Sequence, residues 1–350
     1  MRSPEPLVDR FRGQAEQCRA AGSRLTADLL HGAADDLVAG GPVADLLAPL
    51  EQDPPASVPA LRFAGALHRL VLERRAPALA VHYPSVGGTP GDVWPAARAA
   101  VAEHRSRLEE LVRRPVQTNE VGRSSALLGG LLHVAAATGL PVRLLEVGAS
   151  GGLNLHVDRY RHEVADGVVL GDPASPVVLD ARWHGPLPPL SAPLRIVERR
   201  GCDPAPLDPR STEDRLTLTS YVWADQLDRF ERLRAALQVA AARREPVDRR
   251  TGSDFLEREL REPRAGVATV VWHSVVRQYL SELERVRLLA LVEHAGAAAT
   301  VAAPVAHLSL EPQRVGDVEF RYLVSLTTWP GAASRVLADC EGHGPPVTWR

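Results

Sequence analysis

An apolar run that ends in a cluster of glycines constrains this chain more than any other feature. Arg143-Leu144-Leu145-Glu146-Val147-Gly148-Ala149-Ser150-Gly151-Gly152-Leu153-Asn154 has the form of a buried strand feeding a tight turn. It supports two incompatible readings. As Glu-x-Gly-x-Ser-x-Gly it places an acid just before the first glycine, the way an S-adenosylmethionine site begins. Read from Gly148 alone it is Gly-x-Ser-x-Gly, the nucleophile elbow of an α/β-hydrolase. Ser150 is a spacer beside a cofactor in the first case and the nucleophile in the second.

The surrounding organisation discriminates between them. Residues 1 to about 112 carry helical patterns. Arg10 to Leu37 is rich in helix formers and is stopped by Gly40-Gly41, and Leu61, Ala64, Leu67, Leu70 and Val71 share one helical face. Ala78 to His82 is the one weak strand candidate before residue 140. Beyond Pro115 the pattern changes. Ser124 to Thr138 reads as a helix and Val142 to Val147 as a strand. Tyr160 to Leu170 reads as a hairpin turning at Asp166-Gly167. Further strands are expected at Leu194 to Val197, Val267 to Trp272, Ala299 to Ala302, Phe320 to Thr327 and Val347 to Trp349. Helices are expected over Tyr221 to Ala242 and, behind a Ser281/Glu284 capping box, over Ser281 to Ala295. Strands alternating with helices imply a doubly wound, mostly parallel α/β sheet. The expected layout is a helical region over 1–115 and a Rossmann-like, methyltransferase-type domain over 116–350, with a hairpin insertion near 156–194.

A hydrolase elbow follows several strands and an oxyanion loop, and neither is visible upstream. Asp317 and His343 stand in the right order for triad partners, but with 12 histidines and 43 acids such a pair arises easily by chance. A methyltransferase turn follows the first strand, where glycines allow close approach of the cofactor, and topology favours that reading. Gly148, Ser150 and Gly152 then form the loop, and Glu146 faces the ammonium of the methionine moiety. Glu198, at the expected end of the second strand, takes the ribose hydroxyls, and Asp254 the adenine amino group. Each has a structural alternative: Glu146 and Ser150 as helix caps, Glu198 as a surface partner of Arg199 or Arg200, and Asp254 as a helix N-cap. The nicotinamide fingerprint is not met, because Ser150 and Leu153 stand where its second and third glycines belong.

Composition narrows the function further. The net charge of −2 sets up no global field towards nucleic acid or anionic membrane. All 41 basic residues are arginine, which removes lysine Schiff bases and Walker-type phosphate loops from consideration. Three scattered cysteines make neither a disulfide framework nor a thiolate zinc site and suit a reducing cytosol. The amino terminus lacks the apolar core of a signal peptide, and no run reaches the roughly 20 apolar residues of a membrane span. The expectation is a cytoplasmic protein with a small-molecule substrate and no nucleic-acid or membrane partner. No feature of the chain sets an oligomeric state.

Trp272-His273-Ser274 falls at the carboxyl end of a strand, where doubly wound sheets bind ligands. That makes His273 the candidate general base; the alternative is a histidine satisfied at the sheet edge. Gln117, Asn119, Glu120 and Arg123 form a polar cluster read as a lid or a capped helix start. Asp225 and Gln226 are pocket groups or a solvated face. His156, Asp158 and His162 have a spacing that suits neither one helical nor one strand face, so no metal is expected.

Several segments together resemble a known family. They are Gln117 to Ser124, Leu145 to Ser150, Glu198-Arg199-Arg200-Gly201-Cys202-Asp203, Ser220 to Gln226, His273-Ser274, Thr328-Trp329-Pro330-Gly331 and His343 to Trp349. The set resembles the bacterial domain-of-unknown-function family 2332, with Ala224 standing where that pattern has proline. The resemblance implies a methyltransferase-like fold and glycine motif and supplies no substrate. The functional expectation is a methyltransferase-like protein that binds S-adenosylmethionine, with a serine hydrolase or a non-catalytic binder as alternatives.

Overall fold

A computed structural model describes residues 6–165, 167–243, 245–315 and 319–350. The expected turn residue Asp166 and the triad candidate Asp317 lie outside these. In chain order the helices α1 (Leu7–Ala20), α2 (Arg24–Val38), α3 (Pro42–Leu47), α4 (Pro59–Leu72), α5 (Pro77–Ala80), α6 (Trp94–Glu103) and α7 (Arg105–Val112) come first. Then follow α8 (Ser124–Thr138), β1 (Val142–Val147), β2 (Arg161–Glu163), β3 (Val169–Gly171), β4 (Val178–Asp180), β5 (Trp183–His184) and β6 (Ile196–Asp203). The chain continues through α9 (Thr212–Ser220), α10 (Leu227–Ala241), β7 (Val247–Arg249), α11 (Gly252–Glu259), β8 (Ala268–Ser274) and α12 (Glu282–Ala297). It closes with β9 (Val305–Val315), β10 (Glu319–Trp329), β11 (Ala333–Glu341) and β12 (Gly344–Trp349). Among the described residues no helix is long and apolar enough to cross a membrane.

The chain divides into two compact units, residues 1–118 with 211–231, and 119–210 with 232–350. The first is helical, and among the described residues no strand precedes Val142. The segment Ala78 to His82 is a helical turn, initiated by Pro77 at a position where proline's fixed φ suits a helix start. The stretch from Arg10 to Leu37 breaks at Ser23, whose side chain caps α2 by accepting the Thr26 N–H. Phe11, Leu30, Leu47, Phe63, Leu67, Leu70 and Leu108 make its core. Residues 211–231, which the sequence reading ran into the second domain, belong to this unit. The expected helix from Tyr221 begins only at Leu227.

The second unit is a mixed α/β structure with a large, mostly parallel sheet of order β5-β12-β11-β10-β9-β8-β1-β6-β7. Strands β7, β6, β1, β8 and β9 run parallel, whereas β9 to β12 form an antiparallel meander. The meander departs from the expected doubly wound sheet, because only two or three residues separate successive strands and a crossover helix needs many more. Alternation along the strands separates two cores. Val142, Leu144, Val270, Trp272 and Leu308 pack with Leu127, Leu128 and Leu131 of α8. Leu145, Val147 and Val271 pack with Phe255, Leu256, Leu288 and Val292 of α11 and α12. A small second sheet, β3-β2-β4, contains the expected hairpin.

Two strand boundaries differ from expectation. The second parallel strand does not end at Glu198 but runs on to Asp203. Its charged stretch is accommodated because Glu198 pairs with Arg143 and Arg200 with Asp248 on the flanking strands. Ala299 to Ala302 forms only an isolated bridge, Thr300 to Ala303, and the strand there is β9. That strand tolerates Pro312 because its pairing with β8 stops at Leu310.

Candidate functional site

Strand order reverses around β1, which has the next two parallel strands of the chain on one side and the later ones on the other. In open α/β sheets ligands bind outside the carboxyl ends of the strands at such a switch point. The glycine turn leaves β1 there. Gly148 sits at φ +74°, where a Cβ would come within 2.1 Å of Val276 Cγ2. Ser150 also adopts a left-handed conformation, at φ +52°, which is costly for a residue with a side chain.

The turn's amides are all engaged. Gly148 and Ala149 donate to Cys202 O, Gly152 to Ala149 O, and Ser150 N to Asp203 Oδ2 at 3.1 Å. Gly151 N and Leu153 N both donate to Asn119 Oδ1, at 3.1 and 3.0 Å. Every N–H from Gly148 to Leu153 therefore has an acceptor within the unit. The turn offers acids to a ligand, not a cradle of amides.

Glu146 is buried, and its Oε2 has no hydrogen-bond partner. Burial pushes its carboxyl up to about 8, and the Asp203 carboxylate adds to the rise. The side chains of Asn154 and Trp272 and the charge of Arg123 act in the opposite direction. Asn154 is itself held through Oδ1, which accepts from Ser124 Oγ at 2.7 Å. The site thus keeps a neutral acid that a nearby cation would ionise.

The structure separates the other acids. Glu198 lies opposite Arg143 in the amino-terminal half of β6, with ion pairs to Arg143 (3.1 Å) and Arg264 (3.0 Å). It is not at a strand end, and the acid that ends β6 beside the glycine turn is Asp203. Asp203 also accepts Ala205 N at 2.8 Å. Asp254 is in the first turn of α11, half exposed and paired with Arg287 at 3.2 Å, while Thr251 provides the cap.

The expected lid divides. Gln117 falls at the end of the first stretch of the helical unit. Asn119 braces the turn as described, and Glu120 Oε1 accepts Gly122 N at 3.0 Å. Arg123 donates through Nε to Gly342 O (3.0 Å) and through Nη1 to Ser274 O (3.2 Å). Asp225 is in the helical unit, accepting from Ser23 Oγ at 2.6 Å and Leu25 N at 3.0 Å, so its carboxylate serves the start of α2.

His273 is at the carboxyl end of β8 and almost fully buried. Its Nδ1 lies 2.6 Å from Glu311 Oε1 and its Nε2 lies 3.0 Å from His307 Nε2. Neither partner was anticipated, since both stand on the strand that sequence patterning missed. His156 and His162 are buried, with burial pushing both down to about 4. His162 Nε2 is 2.8 Å from Val157 O, and Asp158 pairs with Arg199 at 2.7 Å. Among the described residues no cluster of three His, Cys, Asp or Glu side chains is arranged to hold a metal.

Fold and site define an α/β protein with a mostly parallel sheet and a buried acid beside a glycine turn at its switch point. The chain belongs to the DUF2332 family, described as an uncharacterized protein conserved in bacteria, whose model matches residues 8–349. No curated protein and no solved structure matches it.

Proposed function

We propose that this protein binds S-adenosylmethionine at the carboxyl end of β1 and is a methyltransferase-like enzyme acting on a small molecule. The observation that carries the reading is Glu146, a buried carboxyl with an unpartnered oxygen just before the glycine turn. A ligand ammonium beside it gives the ionised form the counter-charge it lacks. Asp203 takes the part first expected of Glu198, because its carboxylate ends the second parallel strand beside the glycine turn. The strand order around β1 is that of doubly wound nucleotide-binding sheets. Asp254, paired with Arg287 at the surface, is assigned no part in it.

One observation favours a serine hydrolase, the left-handed backbone of Ser150, since a nucleophile elbow is a strained turn. Against it, Gly151 N, the amide that would line an oxyanion hole, already donates to Asn119 Oδ1.

Thermal unfolding with S-adenosylmethionine and S-adenosylhomocysteine, run beside fluorophosphonate labelling, tests both readings. Ligand at a hundred times its dissociation constant adds about 2.7 kcal/mol and raises the melting temperature by several degrees. No rise under saturating ligand rejects the cofactor reading, and labelling that disappears in Ser150→Ala establishes the hydrolase. Cofactor protection without transfer to any of a broad acceptor panel identifies a non-catalytic binder.

A further inference from the structure

His273 cannot itself meet a ligand in this arrangement, because it is almost fully buried and both ring nitrogens are engaged. The Glu311 carboxylate on Nδ1 is fixed by more than the histidine, since it also accepts Val276 N at 3.0 Å. A carboxylate on one ring nitrogen sets the tautomer and leaves the lone pair on the other. With Nδ1–H donated to Glu311, His273 Nε2 accepts, and the hydrogen between the two rings belongs to His307 Nε2. The remaining nitrogen of the half-buried His307, Nδ1, is then an unprotonated acceptor.

We propose that Glu311, His273 and His307 form a proton relay whose working end is His307 Nδ1, with His273 and Glu311 as positioning residues. The step balances in two proton transfers. A ligand O–H or N–H breaks, its electron pair staying on the oxygen or nitrogen, and the proton bonds to His307 Nδ1. The His307 Nε2–H bond breaks and a new N–H forms at His273 Nε2. The positive charge then rests on the His273 imidazolium against the Glu311 carboxylate, and His307 ends neutral as the other tautomer. Burial, the adjoining His273 and the Arg277 guanidinium push His307 down to about 3, so the charge does not stay on the outer ring. The groups facing the pair are Glu311 and Arg277, with Tyr279 and, from β10, Tyr322 beside Glu311. That the arriving proton comes from the acceptor of a transferred methyl group rests on the proposed function; the relay does not.

Long-range proton–nitrogen NMR on the full chain labelled with 15N-histidine reads the relay without any ligand. In the neutral pair, His273 carries its hydrogen on Nδ1 and His307 on Nε2. On acidification the pair takes up one proton, and His307 changes from the Nε2–H to the Nδ1–H tautomer in the same step, without becoming imidazolium. Glu311→Gln replaces the counter-charge with a neutral amide, and His307 then no longer changes tautomer as the pair takes up its proton. His307→Gln, at a half-buried position, removes the tautomer change while leaving the His273 signals in place, which guards against misfolding of the buried variant. A wild-type His307 ring that becomes imidazolium on its own, or keeps one tautomer while His273 charges, overturns the relay. Since no cofactor enters this measurement, its failure is distinct from a failure to bind S-adenosylmethionine.

Discussion

In the amino-terminal half of β1, Arg143 is buried and its charge is met twice, by Glu198 at 3.1 Å and by Glu259 of α11. Further along the same strand Glu146 is as deeply buried, yet it meets only the neutral side chains of Asn154 and Trp272 and no paired cation. Asp248 on β7, paired with Arg200 and Arg258, is pulled below the usual carboxylate range by those guanidiniums despite its partial burial. Glu146 is pushed the other way. A chain with 43 acids and 41 arginines has cations in plenty, yet Arg123 reaches Glu146 only through its charge and does not pair with it. A buried, uncompensated acid costs stability. Its position at the switch point, where the fold places ligands, is the reason to read that cost as functional.

The largest effect that can break this contrast is in pH. The Glu146 carboxyl titrates near 4.5 when unfolded and at about 8 when folded, so between those values the folded state holds more protons. Its contribution to stability is complete below pH 4.5 and is lost as pH rises through 8, a change on the order of 5 kcal/mol. Urea titrations across that window should show the loss in the wild type and a much flatter profile in Glu146→Gln. Equal slopes in the two proteins would mean that Glu146 is compensated.

Next in size is Arg143→Ala, which removes a buried guanidinium shared by Glu198 and Glu259, while Glu259 keeps Arg258 and Arg200 and Glu198 keeps Arg264. It should destabilise by about 1.5–3 kcal/mol, read from the urea midpoint. A loss below 1 kcal/mol would show that the paired end of the strand is not held by its ion pairs.

Much of this contrast was legible in advance and part was hidden. The bounds of β1 follow from an apolar run that ends at a glycine, so Glu146 and Gly148 were found directly. Asp203 was missed as an individual acid because the apolar pattern ends the strand at Glu198, before the charged Arg199-Arg200. Only partners far away in sequence, Arg143 and Asp248 on the neighbouring strands and Asp158 in the segment after the glycine turn, let those charges lie inside a sheet. Glu311 and His307 were missed for a related reason. Pro312 and the polar residues after it have the composition of a loop, while the structure carries them on β9 beyond its last pair with β8. Asp254 was singled out on proximity to an expected third strand, and its carboxylate faces the surface.

Two smaller substitutions sharpen the comparison. Ser150→Gly relieves a left-handed backbone and should raise stability by about 0.5–1 kcal/mol while cofactor binding persists. Loss of all activity without loss of binding would return Ser150 to the role of nucleophile. Asp254→Ala removes a half-exposed ion pair and should change stability by less than about 0.5 kcal/mol and ligand affinity not at all. A clear loss of affinity would restore it to the site.

The central claim is that Glu146 is held neutral until a cationic ligand ionises it. Calorimetric titration with S-adenosylmethionine at pH 7, repeated in buffers of different ionisation enthalpy, counts the protons exchanged on binding. With the carboxyl pushed up to about 8, binding to the wild type should release close to one proton, and binding to Glu146→Gln should release none. Binding to the wild type without proton release, or equal release by the variant, would contradict the account.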